Sequence, residues 1–328
     1  MIALSAFAQQ CKSTFPVVAL AALLSACGGG GGGDGSSGEK TTLSTATPLP
    51  QLTQEPGAPV MTGNIASDGF NWINYRRSQV GLASLARNSL IDQAAFGHSE
   101  YLRLNNTVSH DQVAGKPGFT GARLGERLAQ AGYVINERNS YAYGEVIAGA
   151  ANNSGFYLAE ELITAIYHRF VIFEPIFKEG GTGAVVGTGA YTYFTADFAA
   201  NNGFGTGLPA GQIVTYPISG QTKVATSFSS DNEMPDPVPN QDIVGYPISV
   251  HANINGMLSV ASFTVRQRGA ASDLTVRLLK NESDPQTPES AASIIPLAPL
   301  AANSTYDVSF SGRLNGAAVS RNWSFSTR

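Results

Sequence analysis

Hydrophobic periodicity changes once along this chain, and that change limits the fold more than any single motif. Between residues 67 and about 200, apolar side chains recur at helical spacing in some stretches and alternate in others. From Gly245 to Arg328 only the period of two remains. Ile91, Ala95, His98 and Leu102 share one helix face, which predicts a helix over Ser89–Asn105. Helices are also expected over 67–81, started by Ser67 and Asp68 as an N-cap pair, over 122–132 and over 157–170. Residues 141–147 read as a strand, and the glycine-broken run 183–198 reads as a hairpin. Helices and strands therefore mix in the first region, an α/β or α+β pattern.

The second region alternates throughout. Ile248, Val250, Ala252 and Ile254 keep one face, Asn255-Gly256 is a tight-turn signal, and Leu258 and Val260 resume the pattern. About seven short strands of this kind predict a β-sandwich. Between the regions, residues 201–242 read as a linker rich in glycine and proline. A short self-similarity crosses this boundary: Ile213-Val214-Thr215-Tyr216-Pro217-Ile218-Ser219 recurs as Ile243-Val244-Gly245-Tyr246-Pro247-Ile248-Ser249. Two copies are too few for a solenoid, and the residue before each proline favours extended backbone, so both read as edge strands.

The amino-terminal part is an address. The apolar run 15–24 suits a signal-peptide core and is shorter than the ~20 residues needed to span a bilayer as a helix. It ends in Leu24-Ser25-Ala26-Cys27, which resembles the lipobox of bacterial lipoproteins and implies cleavage before Cys27 and acylation of that cysteine. Residues 1–26 are then a signal peptide and 27–66 a Gly/Ser/Pro spacer with too little apolar surface to offset ordering entropy. Gly28, where an acidic residue would signal retention at the inner membrane, favours the outer membrane. The chain's two cysteines, Cys11 and Cys27, both precede the folded regions, so those regions hold together without disulfides. A net charge of −4 with no basic run excludes a nucleic-acid footprint.

Chemistry concentrates in Ser109-His110-Asp111, Gly144-Glu145 and Tyr167-His168-Arg169, since imidazoles and carboxylates bind divalent metals or move protons near neutral pH. Each also has a structural reading: His110 as a solvated loop residue, Glu145 as an acceptor for loop amides, His168-Arg169 as cations at a helix C-terminus. His98 on its apolar face reads as a hydrogen-bonded core histidine, and His251 as structural or exposed. The glycines of 183–189 follow no strand-to-helix turn, so a nucleotide loop is not supported, and no Gly-x-Ser-x-Gly elbow is present.

The ordered set His98-Ser99-Glu100-Tyr101, Asn105-Asn106, Ser109-His110, Arg127, Gly132-Tyr133, Gly144-Glu145, His168-Arg169 and Gly181-Thr182-Gly183 resembles the bacterial, SCP-like branch of the CAP superfamily. The resemblance implies an α-β-α sandwich over 67–200 and a cleft where His110, Glu145 and His168 hold a divalent metal, zinc being the first choice. The family's second glutamate is absent, because residues 162–165 read Leu-Ile-Thr-Ala. Glu161 is a weak stand-in. Residues 243–328 resemble the immunoglobulin-like modules of exported bacterial proteins, giving an α+β protein with an all-β sandwich appended. The implied function is an envelope-anchored binding protein whose His/Glu cleft takes a metal, a small ligand or a lipid. The alternatives are a metal-assisted hydrolase of envelope peptides with Glu145 as the proton acceptor, and an adhesin that works through the C-terminal sandwich.

Overall fold

The computed structural model describes residues 55–328 and the backbone of two short strands, β1 (Ile2–Leu4) and β2 (Ala8–Gln10). Apart from those strands, the expected signal peptide, Cys27 and the spacer as far as residue 54 lie outside the described residues. Among the described residues no helix is long and apolar enough to cross a membrane.

The first region is three-layered. Its elements are α1 (Ile65–Gln79), β3 (Ala86–Arg87), α2 (Ser89–Asn105), α3 (Leu124–Gln130), β4 (Tyr141–Ala150), α4 (Gly155–Thr164), α5 (Ile166–Ile172), β5 (Glu179–Val186) and β6 (Thr192–Ala200). β5, β6 and β4 pair antiparallel in that order and form the centre of the sheet. On one face α2 lies so close to β5 that a side chain at Gly181 or Gly183 would strike the helix backbone at Asp92 or Phe96. The other face carries α1, α4 and α5, with Phe194, Ala196 and Phe198 of β6 pointing into a core that includes Phe70, Trp72 and Leu162. Strand alternation accounts for both: neighbouring residues of β6 point to opposite layers.

Two expectations change here. The first helix is capped by Asn64, whose side chain accepts from the Ser67 amide, and not by Ser67. The expected helix 157–170 is two helices, broken at Ala165, which is extended (φ −66°, ψ 121°). The break has a cause outside the helix: Glu233 accepts hydrogen bonds from the amides of Ile166, Tyr167 and His168 at 2.9, 2.7 and 3.2 Å. A distant carboxylate thus supplies the cap that Ala165 lacks.

The stretch 201–242 is not a spacer. It contributes β7 (Ile213–Tyr216), β8 (Ser227–Ser229) and β9 (Glu233–Met234), and it buries Leu208, Ile213, Tyr216, Val224, Phe228 and Val238. Beyond it come β10 (Ile243–Gly245), β11 (Ile248–Ala252), β12 (Leu258–Gln267), β13 (Val276–Lys280), β14 (Ala291–Pro296), β15 (Thr305–Leu314) and β16 (Ala317–Ser326). Two antiparallel sheets result, β13-β14-β11-β7 and β12-β15-β16, with β8 and β10 paired separately. Asn315-Gly316, both at positive φ, closes the β15–β16 hairpin. Asn255-Gly256 does not close a hairpin, because β11 and β12 belong to different sheets. In the repeated heptapeptide, β7 is an edge strand, whereas the second copy leads into β11, an interior one. One continuous apolar core runs from Phe70 in α1 to Phe325 in β16, so the two regions are packed as a unit.

Candidate functional site

Glu145 is the centre of a closed polar cluster between β4 and the α2–α3 layer. A Cβ on its neighbour Gly144 would meet Val171 and Phe177, on the α5 side, so alternation turns Glu145 to the opposite face. Its Oε1 accepts from His110 Nδ1 at 2.7 Å, and its Oε2 accepts from Arg127 Nη2 at 2.7 Å. Arg127 also donates through Nη1 to the His110 carbonyl at 2.9 Å, which fixes the loop carrying that histidine. His98 is locked from both sides. Its Nε2 donates to the Ser109 carbonyl at 2.9 Å, and its Nδ1 accepts from Gln112 Nε2 at 2.9 Å. This is the hydrogen-bonded core histidine expected from the apolar face of α2. Across the sheet, Asp197 stands in register with Glu145 and is fully buried.

The electrostatics follow from burial and contact. Burial opposes ionisation of Glu145, but the Arg127 charge, His98 and the His110 hydrogen bond outweigh it and hold the carboxyl well below the usual range. Asp197 goes the other way: burial, then the Glu145 charge, push it well above its ordinary value. Neither Asp197 oxygen has a hydrogen-bond partner among the described residues, so no hydrogen bond there offsets the burial of an ionised carboxylate. Burial lowers His98 to about 4, so the ring is neutral near pH 7. His110 is 12% exposed, and its Nε2 is the cluster's histidine nitrogen left without a partner.

His168 is elsewhere. It lies on α5, against the opposite face of the sheet, and its Nδ1 is 2.8 Å from Glu233 Oε1. Its neighbour Arg169 donates to the Pro247 carbonyl at 2.8 Å and to Ser249 Oγ at 3.2 Å. The two tyrosines of the repeated heptapeptide, Tyr216 and Tyr246, present their rings to this guanidinium at 4.9 and 5.2 Å. The structure therefore brings His110 and Glu145 together and does not bring His168 to them. Glu161 joins neither group. It lines a groove of about 400 Å³ between α4 and residues 225–229, with Tyr157 and Arg328, where burial and then Glu160 raise it to about 7.

A divalent metal does not fit the residues present. Both Glu145 oxygens are held by donors, one of them a guanidinium, and both His98 nitrogens are engaged. Among the described residues no group of three or more His, Cys, Asp or Glu side chains is arranged to hold an ion. Sequence reading gave no role to Arg127, Gln112, Asp197 or Glu233. Asp197 carried the one usable signal, a lone acid in an apolar strand.

Residues 70–198 match the CAP family, described as the cysteine-rich secretory protein family. That stretch of the chain is a CAP domain. Two solved structures are similar to part of the chain. One is an extracellular protein containing an SCP domain from Bacillus anthracis, 24% identical, with 43% of this chain and 44% of that chain covered and a TM-score of 0.35. The other is an outer surface protein from Borrelia burgdorferi, 14% identical, with 40% and 89% covered and a TM-score of 0.34. The match thus spans less than half of the Bacillus protein. No curated protein matches the chain in sequence.

Proposed function

We propose that this chain is an exported, lipid-anchored binding protein whose CAP domain works without a metal and without catalysis. The observation that carries the reading is the full burial of Glu145 together with its pairing to Arg127 and His110. A carboxylate buried to 0% exposure, held ionised by Arg127 and hydrogen-bonded to His110, is closed off from solvent and does not take up a proton near neutral pH. The hydrolase reading needs that carboxylate as its proton acceptor. What the cluster offers a ligand is the partly exposed ring of His110, whose unpartnered Nε2 is itself buried. Acylated Cys27 would hold the protein at the outer membrane, and the four-stranded and three-stranded sheets are read as an immunoglobulin-like module joined rigidly to the CAP domain.

Metal analysis of the purified protein after dialysis against zinc, by mass spectrometry, tests the central claim. The expected result is much less than one zinc per chain, unchanged in His110→Ala. One zinc per chain, lost in that variant, would overturn the reading. Radiolabelled palmitate tests the anchor: label is expected in the native chain and absent in Cys27→Ser, and an unlabelled native chain would remove the anchor.

A further inference from the structure

The groove between α4 and residues 225–229 holds an acid and a base that the cluster around Glu145 does not use. Its volume of about 400 Å³ falls within the roughly 300–1,000 Å³ of small-molecule sites. Tyr157 and Glu161 line it from α4, and Thr226, Ser227, Ser229 and Asn232 line it from around β8. Those hydroxyl and amide groups both donate and accept hydrogen bonds. Arg328 borders the same groove, and the remaining walls are small or apolar: Ala148, Gly149 and Ala150 of β4, with Ala225 and Phe228.

Glu161 stands in this groove without a cation of its own. Its neighbour Glu160 is committed elsewhere, accepting from Trp72 Nε1 at 2.6 Å and from Arg76 Nε at 2.9 Å. Glu161 takes a hydrogen bond from the Tyr157 hydroxyl, but no ion pair reaches it among the described residues. Burial, followed by the Glu160 charge, therefore raises it to about 7, the mark of a carboxylate whose lost hydration no neighbour replaces. Arg328 is held by its main chain: its amide donates to the Val224 carbonyl at 3.0 Å and its carbonyl accepts from the Asn303 amide at 3.4 Å. Its side chain is exposed and makes no ion pair with Glu161.

An unpaired carboxylate and an unpaired guanidinium in one groove are complementary to a molecule that carries both charges. We propose that this groove binds a free α-amino acid with an apolar side chain, its ammonium on Glu161 and its carboxylate on Arg328. A cation alone would be repelled by Arg328, and an anion alone by Glu161. Glu161 is already desolvated before the ligand arrives, so an ammonium that reaches it restores what burial removed. A guanidinium takes a carboxylate through two parallel N–H bonds, which fixes the other end. The apolar side chain follows from the walls, since the alanines and Phe228 leave a third charge no partner. Glu39-Lys40 of this chain carries the same two charges and is the competing occupant, but it belongs to the Gly/Ser spacer, whose ordering entropy opposes docking.

Calorimetric titration of the full chain with L-leucine tests this, with L-leucinamide and N-acetyl-L-leucine as the two singly blocked forms. Leucine is expected to bind saturably. Each blocked form should bind about tenfold more weakly or worse, as should leucine to Glu161→Gln and to Arg328→Gln, the loss expected for a hydrogen bond to a charged group. Melting followed by circular dichroism checks that both variants are folded, and the blocked ligands probe the same two contacts with no substitution at all. Leucinamide binding as well as leucine would leave an ammonium site alone, and N-acetyl-leucine binding as well would leave an anion site alone; either overturns the proposal. Absence of leucine binding overturns it too, and binding that then appears in the Glu39→Gln, Lys40→Gln double variant would assign the groove to the spacer. These outcomes are separate from the zinc and palmitate measurements, because neither His110 nor Cys27 is among the residues that line the groove.

Discussion

Two histidine–glutamate pairs of nearly equal geometry sit on opposite faces of one sheet. His110 Nδ1 meets Glu145 at 2.7 Å and His168 Nδ1 meets Glu233 at 2.8 Å, yet the surroundings make them different devices. Glu145 is paired with a buried guanidinium inside the CAP domain. Glu233 comes from beyond the CAP domain, and its remaining partners are backbone amides of α5. The first pair is a charge cluster that fixes a loop, whereas the second fastens two regions together and starts a helix. Residue identity within a sequence pattern therefore does not carry the role, because His168, expected beside His110, stands against Glu233 on the other face of the sheet.

The strongest way to break this comparison is Glu145→Ala. It leaves Arg127 buried without its carboxylate, and removal of one partner of a buried pair costs about 3–5 kcal/mol. Urea unfolding monitored by tryptophan fluorescence measures it. A loss under about 1 kcal/mol would mean that water reaches Arg127 and that the cluster is an open site after all.

Acid sharpens the same contrast. His98 has an ordinary value of 6.5 and about 4 in the folded protein, and burial lowers His251, beside Phe170 and Phe173, to about 3. Above pH 6.5 both rings are neutral folded and unfolded. As pH falls below 6.5 the unfolded chain binds protons that the folded chain refuses, so stability is lost down to about pH 4 for His98 and about pH 3 for His251. His98 alone is expected to remove about 2–3 kcal/mol between pH 7 and 4.5. Unfolding titrations of His98→Gln should show a smaller acid loss than the native chain, and identical slopes would place His98 in contact with solvent.

Much of the CAP domain was readable because its helices carry local signals: the α2 face spaced Ile91, Ala95, His98, Leu102 and the hairpin glycines of β5. The pairing of His110 with Glu145 was readable as a convergence. The fate of His168 was not, because its partner lies in a stretch whose glycines and prolines hid strands as short as two residues. Tertiary pairing, not propensity, makes Glu233–Met234 a strand. The repeated Tyr-Pro was visible but looked like an edge-strand device, and only packing shows Tyr216 and Tyr246 gripping Arg169.

A smaller effect is expected from Glu233→Gln. The amide keeps one acceptor oxygen for the α5 amides and loses the charge, which costs about 1–3 kcal/mol when hydrogen bonds to a charged group are weakened. The diagnostic feature is where the loss appears. Limited proteolysis should cut first within 230–241, whereas Glu145→Ala should open the loop around His110. Cleavage at the same bonds in both variants would mean that the two pairs act as one.

The smallest change expected near pH 4 comes from Asp197→Asn, and its sign then depends on pH. If Asp197 is protonated in the folded protein, an asparagine amide can donate to Glu145 in its place, so near pH 4 the variant should match the native chain within about 1 kcal/mol, as isosteric swaps do. As pH rises above 3.8, unfolded Asp197 ionises while the folded carboxyl, raised by burial and by Glu145, keeps its proton. Stability of the native chain is therefore lost with rising pH by an amount that the variant escapes, and at pH 7 Asp197→Asn should be the more stable of the two. A variant destabilised at pH 7 would require an ionised Asp197 facing Arg127, and Glu145 would then no longer be that guanidinium's sole counter-ion.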